Sequence, residues 1–277
     1  MPIFEVIASG FGLAEAPTQA PDGSFLLSDV IAGGVYGARP GVPLATVIPK
    51  RRGIGGMAVH AAGGVIVSGR NLAHVCEGRS RTVLEIDGVA GWNDLCTDSR
   101  GRVYAGSLRF SVFDPSANPM PGELWRIELD GSAAVLYDGV VHPNGVGLSP
   151  DERTIYHSDT RSKTLVIHDL DGSGAPTNRR AVDLSSYGAP DGLAVDEHGA
   201  VWVAILGGFG IGRFTPKGML DGRLDVPSTV VTSVSFAGRD GRDLLVTTGD
   251  HENPALGGCL LRTRVDVAGA PVHPARI

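Results

Sequence analysis

Ala200-Val201-Trp202-Val203-Ala204, preceded by a turn at Gly199 and by Ala189-Pro190-Asp191-Gly192-Leu193, is one unit of a repeat that decides the fold. The unit is a turn, a short alternating strand, a second turn and another strand. Five other stretches align with it by a small or hydroxylated last residue: Ser24-Phe25-Leu26-Leu27-Ser28, Gly64-Val65-Ile66-Val67-Ser68, Arg102-Val103-Tyr104-Ala105-Gly106, Thr154-Ile155-Tyr156-His157-Ser158 and Asp243-Leu244-Leu245-Val246-Thr247. Their first residues are spaced by 40, 38, 52, 46 and 43. A period in the forties with several strands per repeat predicts a β-propeller. The expected architecture is all-β, a six-bladed propeller with four antiparallel strands per blade, over a single domain spanning residues 1–277. Second strands are expected at Gly34-Val35-Tyr36, Glu123–Ile127, Leu165–His168 and Gly212-Arg213-Phe214. The N-terminal strand near Ile3–Ala8 is expected to pair with strands near Leu260–Arg264, closing the ring and removing its sticky sheet edges. No helix longer than a turn or two is expected.

The segment before each turn is then the innermost strand of its blade. Glu15, Asn93 and Asp191 each lie eight residues before a turn glycine (Gly23, Gly101, Gly199), and Asn144 holds the matching place before Ser149-Pro150-Asp151-Glu152. The equivalent place falls near Gly55 in the second repeat and at Ser233 or Val234 in the sixth. Asn144-Gly145 and Asp191-Gly192, taken singly, read as turn pairs. The shared register, and a poor turn former such as Glu15 within it, argue instead that four oxygen-bearing side chains converge on the axis. Such a set suits a hard divalent cation: calcium takes 6–8 oxygens from carboxylates, amide carbonyls and water. Mn²⁺ and Mg²⁺ fit the same donors; Zn²⁺ fits less well, because no thiolate and no histidine pair at zinc spacing accompanies them.

Bulk properties narrow the partners. The 277 residues include forty glycines and eighteen prolines, spread throughout as many short strands require. A net charge of −6 argues against nucleic acid or an anionic membrane as partner. The start lacks the basic and apolar regions of a signal peptide, and no stretch approaches a transmembrane span. Three cysteines (Cys76, Cys96, Cys259), odd in number and far apart, read as thiols of a reducing compartment, so the cytoplasm is the expected location. Nothing in the chain fixes an oligomeric state.

The chain resembles the senescence-marker-protein (regucalcin), gluconolactonase and luciferin-regenerating-enzyme-like family. The resemblance runs through Glu15-Ala16-Pro17 with Asp22-Gly23 and Ser28-Asp29, and through Asn93-Asp94 with Gly101-Arg102. It continues in Asn144-Gly145 with Ser149-Pro150-Asp151 and Ser158-Asp159, and in Pro190-Asp191-Gly192 with Trp202-Val203-Ala204. It implies that Glu15, Asn144 and Asp191 bind a catalytic divalent metal, that Asn93 approaches metal or substrate, and that lactone hydrolysis is the activity, with Asp191 also the general base. The expected reaction is the opening of a small-molecule lactone by attack of a cation-activated water. No GxSxG nucleophile elbow competes with that chemistry. Sugar-lactone members often carry an arginine two residues before the asparagine; here that position is Gly91, followed by Trp92. The expected substrate is therefore less hydroxylated than gluconolactone, with Trp92 beside it.

Further rim candidates are Arg51, Arg52, Arg70, His74, Arg109, His142, His157 and His251. Of these, Arg52, Arg109 and His142 join Asn93 and Trp92 as expected substrate contacts, and the loop Asp114–Pro121 is an expected lid. The competing readings are a hydrolase of another ester class, aryl ester or phosphotriester; a non-catalytic calcium-binding propeller; and a protein-interaction propeller, which has no need of inward acceptors.

Overall fold

The computed structural model describes residues 3–277. Strand β1 (Glu5–Phe11) is followed by β2 (Ala14–Gln19), β3 (Phe25–Asp29), β4 (Gly34–Arg39) and β5 (Val42–Pro49), which form the first blade. The second is β6 (Met57–Val59), β7 (Val65–Val67), β8 (Leu72–Cys76) and β9 (Arg79–Leu84); the third is β10 (Gly91–Thr97), β11 (Val103–Leu108), β12 (Gly122–Ile127) and β13 (Ala133–Val140). Then come β14 (Pro143–Leu148), β15 (Thr154–Asp159), β16 (Thr164–Leu170) and β17 (Pro176–Asp183), and β18 (Ala189–Val195), β19 (Val201–Leu206), β20 (Gly210–Phe214) and β21 (Leu220–Leu224). The sixth blade has β22 (Val231–Ala237), β23 (Asp243–Thr248) and β24 (Gly258–Arg264), with β1 as its outermost strand. Glu5 pairs with Arg262 and Ala8 with Leu260, so the first strand of the chain completes the last blade. The expected six-bladed, end-closed propeller is what the chain forms.

Burial explains why each strand has its composition. The second strand of a blade is covered on both faces, as in Phe25–Asp29 and Val103–Leu108, so it reads as a continuous run of apolar and small residues. The outermost strand is exposed along most of its length, as in Val42–Pro49 and Pro176–Asp183, and carries charge such as Arg179 and Arg180. Large side chains fill the wedges between blades. Tyr104, Leu124, Val146 and Ile155 pack together between the third and fourth blades. Among the described residues a single 3₁₀ turn, Pro254–Leu256, is the only helix, and none is long and apolar enough to cross a membrane.

The innermost strands β2, β6, β10, β14, β18 and β22 touch one another in sequence around the ring, and β22 touches β2. Their glycines allow this approach. A Cβ on Gly145 would press on Leu193 N and stand 2.7 Å from Asp191 O, and one on Gly192 would collide with the Ser233 side chain.

His157 is a core histidine. It is fully buried, with Nδ1 3.2 Å from the Tyr137 hydroxyl and Nε2 unpartnered. Tyr137 also stacks on His168 at 4.1 Å. Burial pushes His157 down to about 3, against the pull of Asp159 and with the help of His168 and Arg179. The unfolded chain therefore takes up a proton near pH 6.5 that the folded chain refuses. Stability is complete above that pH and falls on acidification, by up to about 1.4 kcal/mol per pH unit for this one group. Thermal unfolding at pH 7, 6 and 5 should show the decline, and His157→Phe should make it shallower, with His142 and His168, also pushed down to about 4, supplying the rest. An unchanged slope in that variant would assign the acid sensitivity elsewhere.

Candidate active site

Each of the four expected site residues lies where its inner strand slips register against its neighbour. Between Glu15↔Ser28 and Thr18↔Leu26 the inner strand has one more residue than its partner. The same excess separates Trp92↔Ser107 from Leu95↔Ala105, Pro143↔Asp159 from Val146↔His157, and Pro190↔Ile205 from Leu193↔Val203. These are β-bulges, which bend a strand and re-aim its side chains. Ala16, just after Glu15, takes a positive φ of 52° within its bulge. The four bulges bring Glu15, Asn93, Asn144 and Asp191 together in the wall of one cavity of about 390 Å³, at the end of the channel where the inner strands begin. A larger cavity of about 890 Å³ occupies the other end, lined by Asp94 and by Ala270–Pro274 of the C-terminal segment that crosses it.

Hydrogen bonds orient both amides. The Asn93 Nδ2 donates to Pro143 O at 2.9 Å, an atom that only accepts, so its Oδ1 is the end left over and rests against Gly55. Thr160 Oγ1 donates to Pro190 O at 2.8 Å and so accepts from Asn144 Nδ2 at 3.1 Å, leaving the Asn144 carbonyl oxygen free.

The carboxylates lack what buried carboxylates elsewhere in the chain have. Asp196, fully buried, accepts from His198 N, Ala200 N, Trp202 Nε1 and Arg213 Nε. Asp191 is also buried, yet its Oδ1 has no partner. Glu15 accepts only from Ala16 N, at 3.1 Å. Burial, then Asp191, then Asp94 hold the Glu15 carboxyl well above the usual range. Burial and Asp94 do the same to Asp191, against hydrogen bonding from Asn144 and Gly192 N. Burial pushes Asp94 up to about 7. Among the described residues no positively charged side chain offsets these groups. An orphaned buried carboxylate oxygen, a second crowded carboxylate and two amide oxygens fit a hard cation. Among the described residues no three His, Cys, Asp or Glu side chains are grouped to hold one ion, so such an ion depends on the amides.

The expected substrate contacts divide. His142 borders the cavity; burial pushes it down to about 4, so it is neutral near pH 7. Trp92 borders it too, but its indole is 1% exposed and packs with Ile66, Leu72 and Leu95 between the second and third blades. Arg109 lies outside the cavity wall, its guanidinium on Glu123 at 2.7–3.0 Å. Arg52 is exposed and also outside the wall, while Arg51 braces the Ser68 and Asn71 backbone carbonyls. Of the other rim candidates, Arg70 reaches the cavity; His74 and His251 bond to Gly63 O and Asn253 N away from it. The β11–β12 loop does reach the cavity, but through Phe110, Ser111, Val112 and Phe113 rather than through Asp114–Pro121. Leu13, Leu206 and Val230 complete the wall. They leave no sequence signal beyond lying at or next to the end of a strand.

The SMP-30/Gluconolactonase/LRE-like region model matches residues 13–250. The pentonolactonase XacC of Haloferax volcanii is 28% identical over 98% of this chain and 97% of its own length. The 6-deoxy-6-sulfogluconolactonase of Pseudomonas putida is 29% identical over 87% of each chain. The crystal structure of regucalcin, a calcium-binding protein of Agrobacterium tumefaciens, superposes with a TM-score of 0.84 at 21% identity, covering 100% of this chain and 98% of that one. With all four inner-strand positions inside the matched region, the chain belongs to the SMP-30/gluconolactonase/LRE-like family.

Proposed function

We propose that this protein is a divalent-cation-dependent hydrolase that opens small-molecule lactones at the Glu15–Asn93–Asn144–Asp191 site. The observation that carries the reading is the unpartnered Asp191 Oδ1, buried beside Glu15 with no positive charge among the described residues to offset either group. Lactonase relatives that match along most of their length support it. Glu15, Asn144 and Asp191 would hold the cation, and calcium suits an all-oxygen set best. When bound, such a cation supplies Lewis-acid polarisation of an ester carbonyl.

The protein's own residues do the rest. Asp191, whose Oδ1 has no protein partner, would take the proton of a water that adds to the carbonyl carbon. When the ring C–O bond breaks, Asp191 returns that proton to the departing oxygen, and the product is a hydroxy acid. Asn93 gives one amide hydrogen to Pro143 O and keeps its carbonyl oxygen as an acceptor or ligand. Neutral His142 stands at the wall as a hydrogen-bonding group for the substrate.

A pH-drop assay over a lactone panel, with and without EDTA, tests the reading. Turnover is expected with Ca²⁺ or Mn²⁺, to be lost on chelation and restored by adding the ion back. Absence of turnover with Ca²⁺, Mn²⁺, Mg²⁺ and Zn²⁺ alike would leave a binding propeller in place of an enzyme.

A further inference from the structure

Building on the lactone-hydrolase reading, we propose that the preferred substrate carries an apolar alkyl substituent on its lactone ring, selected by Phe110 and Phe113. The cavity of about 390 Å³ has room for a ring and a short chain. Beyond the four inward polar residues, its wall is apolar along one contiguous arc: Leu13 and Val30 from the first blade, Leu206 and Val230 from the adjoining fifth and sixth.

Among the wall's side chains, a substrate hydroxyl is left with His142, the site amides and the exposed Ser111 at the rim. The Thr160 hydroxyl is committed to Pro190 O and Asn144, and the Thr232 hydroxyl donates to Ala14 O at 2.6 Å. Besides Glu15 and Asp191, the ionisable side chains of the wall are Arg70 and His142. Arg70 is 89% exposed, at 3.7 Å from Glu85. A Cβ on Gly91 would meet only Gly69 O, at 3.5 Å, so no side chain fills the space there.

An apolar turn borders the same cavity. Ser111 O accepts from Asp114 N, and Asp114 Oδ1 caps Ser116, which folds residues 111–116 into a tight turn. The turn presents Phe113, 62% exposed, at the cavity beside half-buried Phe110 and Val112. An exposed phenylalanine held by a built turn at a cavity mouth gains by covering apolar ligand surface. A polyhydroxylated ring would instead lose water hydrogen bonds against that wall without replacement.

The test compares two δ-lactones of the same ring, one with a pentyl substituent and one with several hydroxyls, using the metal-loaded full chain. The pentyl lactone should have the higher kcat/KM. Phe113→Ser, at an exposed position that folding does not need, should lower the ratio of the two kcat/KM values roughly tenfold, mainly through KM. Phe110→Ser should act in the same direction. Preference for the hydroxylated lactone, or a ratio that neither variant moves, would overturn the proposal. Binding of the pentyl-substituted lactam, which is not hydrolysed, is followed in parallel by calorimetry and should weaken roughly tenfold in Phe113→Ser. Tight, Phe113-dependent lactam binding without turnover of any lactone would sink the hydrolase reading and leave this inference standing; equal lactam binding by both proteins would sink the inference alone.

Discussion

Asp191→Asn, assayed at saturating cation, is expected to reduce lactone turnover by roughly 10²-fold or more while leaving the fold in place. Asparagine has the same shape and keeps an oxygen for the ion. It cannot accept a proton at neutral pH, so the step in which water is deprotonated loses its base. The bulge at Pro190–Leu193 is set by backbone pairing and by the fit of Gly192 against Ser233, neither of which depends on the carboxylate. The decrease should appear in kcat, with KM changed much less, because the lost interaction belongs to the transition state. Turnover within a few-fold of the parent protein would assign the base elsewhere. Of the groups already placed in the wall, Glu15 would be the next to replace, since its carboxyl is also held above the usual range.

How much of this was legible in the sequence differs between the strands and the rim. The buried second strands announce themselves because both faces are covered, and Phe25–Asp29 and Val201–Leu206 read as largely apolar runs. Ring closure follows from an unpaired strand at each end of the chain, and β1 on β24 is the simplest way to remove both edges. The convergence of Glu15, Asn93, Asn144 and Asp191 was legible as a register. Its cause was not: a single extra residue in an inner strand leaves no mark in an alternation already broken by glycine and proline. Trp92 needs no bulge to leave the axis, because simple alternation sets it opposite Asn93. Its neighbour Asn93 faces the axis, and Trp92 falls on the opposite face, in the seam between blades. Arg109 has no sequence-local partner. Glu123 sits fourteen residues away on the paired strand, and only strand pairing brings the two into contact. The rim is assembled from loops of the first, third, fifth and sixth blades, so its apolar character emerges only when the ring closes.

Glu15→Gln is expected to stabilise the cation-free protein and to destroy its response to calcium. Without an ion, the folded state confines the Glu15, Asp94 and Asp191 carboxyls together, and burial and mutual repulsion raise all or most of their proton affinities. A carboxyl held above its unfolded range takes up protons on folding, so its contribution to stability falls as pH rises above the unfolded value near 4.5. By pH 7 to 8 it opposes folding. Glutamine removes that opposition, keeps the shape, and accepts from Ala16 N as Glu15 does. In EDTA the variant should therefore unfold a few degrees above the parent protein, on a scale of about 2–4 °C per kcal/mol for a chain of this size. Calcium at about a hundredfold over its dissociation constant should add about 2.7 kcal/mol to the parent, which is about 5–10 °C. The variant, short of one of two ligating carboxylates, should gain far less. The two unfolding temperatures then cross: the variant is higher in EDTA and the parent higher in calcium. Differential scanning calorimetry in the two buffers reads this directly, without a substrate. A variant less stable than the parent in EDTA would mean that Glu15 stabilises the fold by itself, and a full calcium shift in the variant would move the ion away from Glu15.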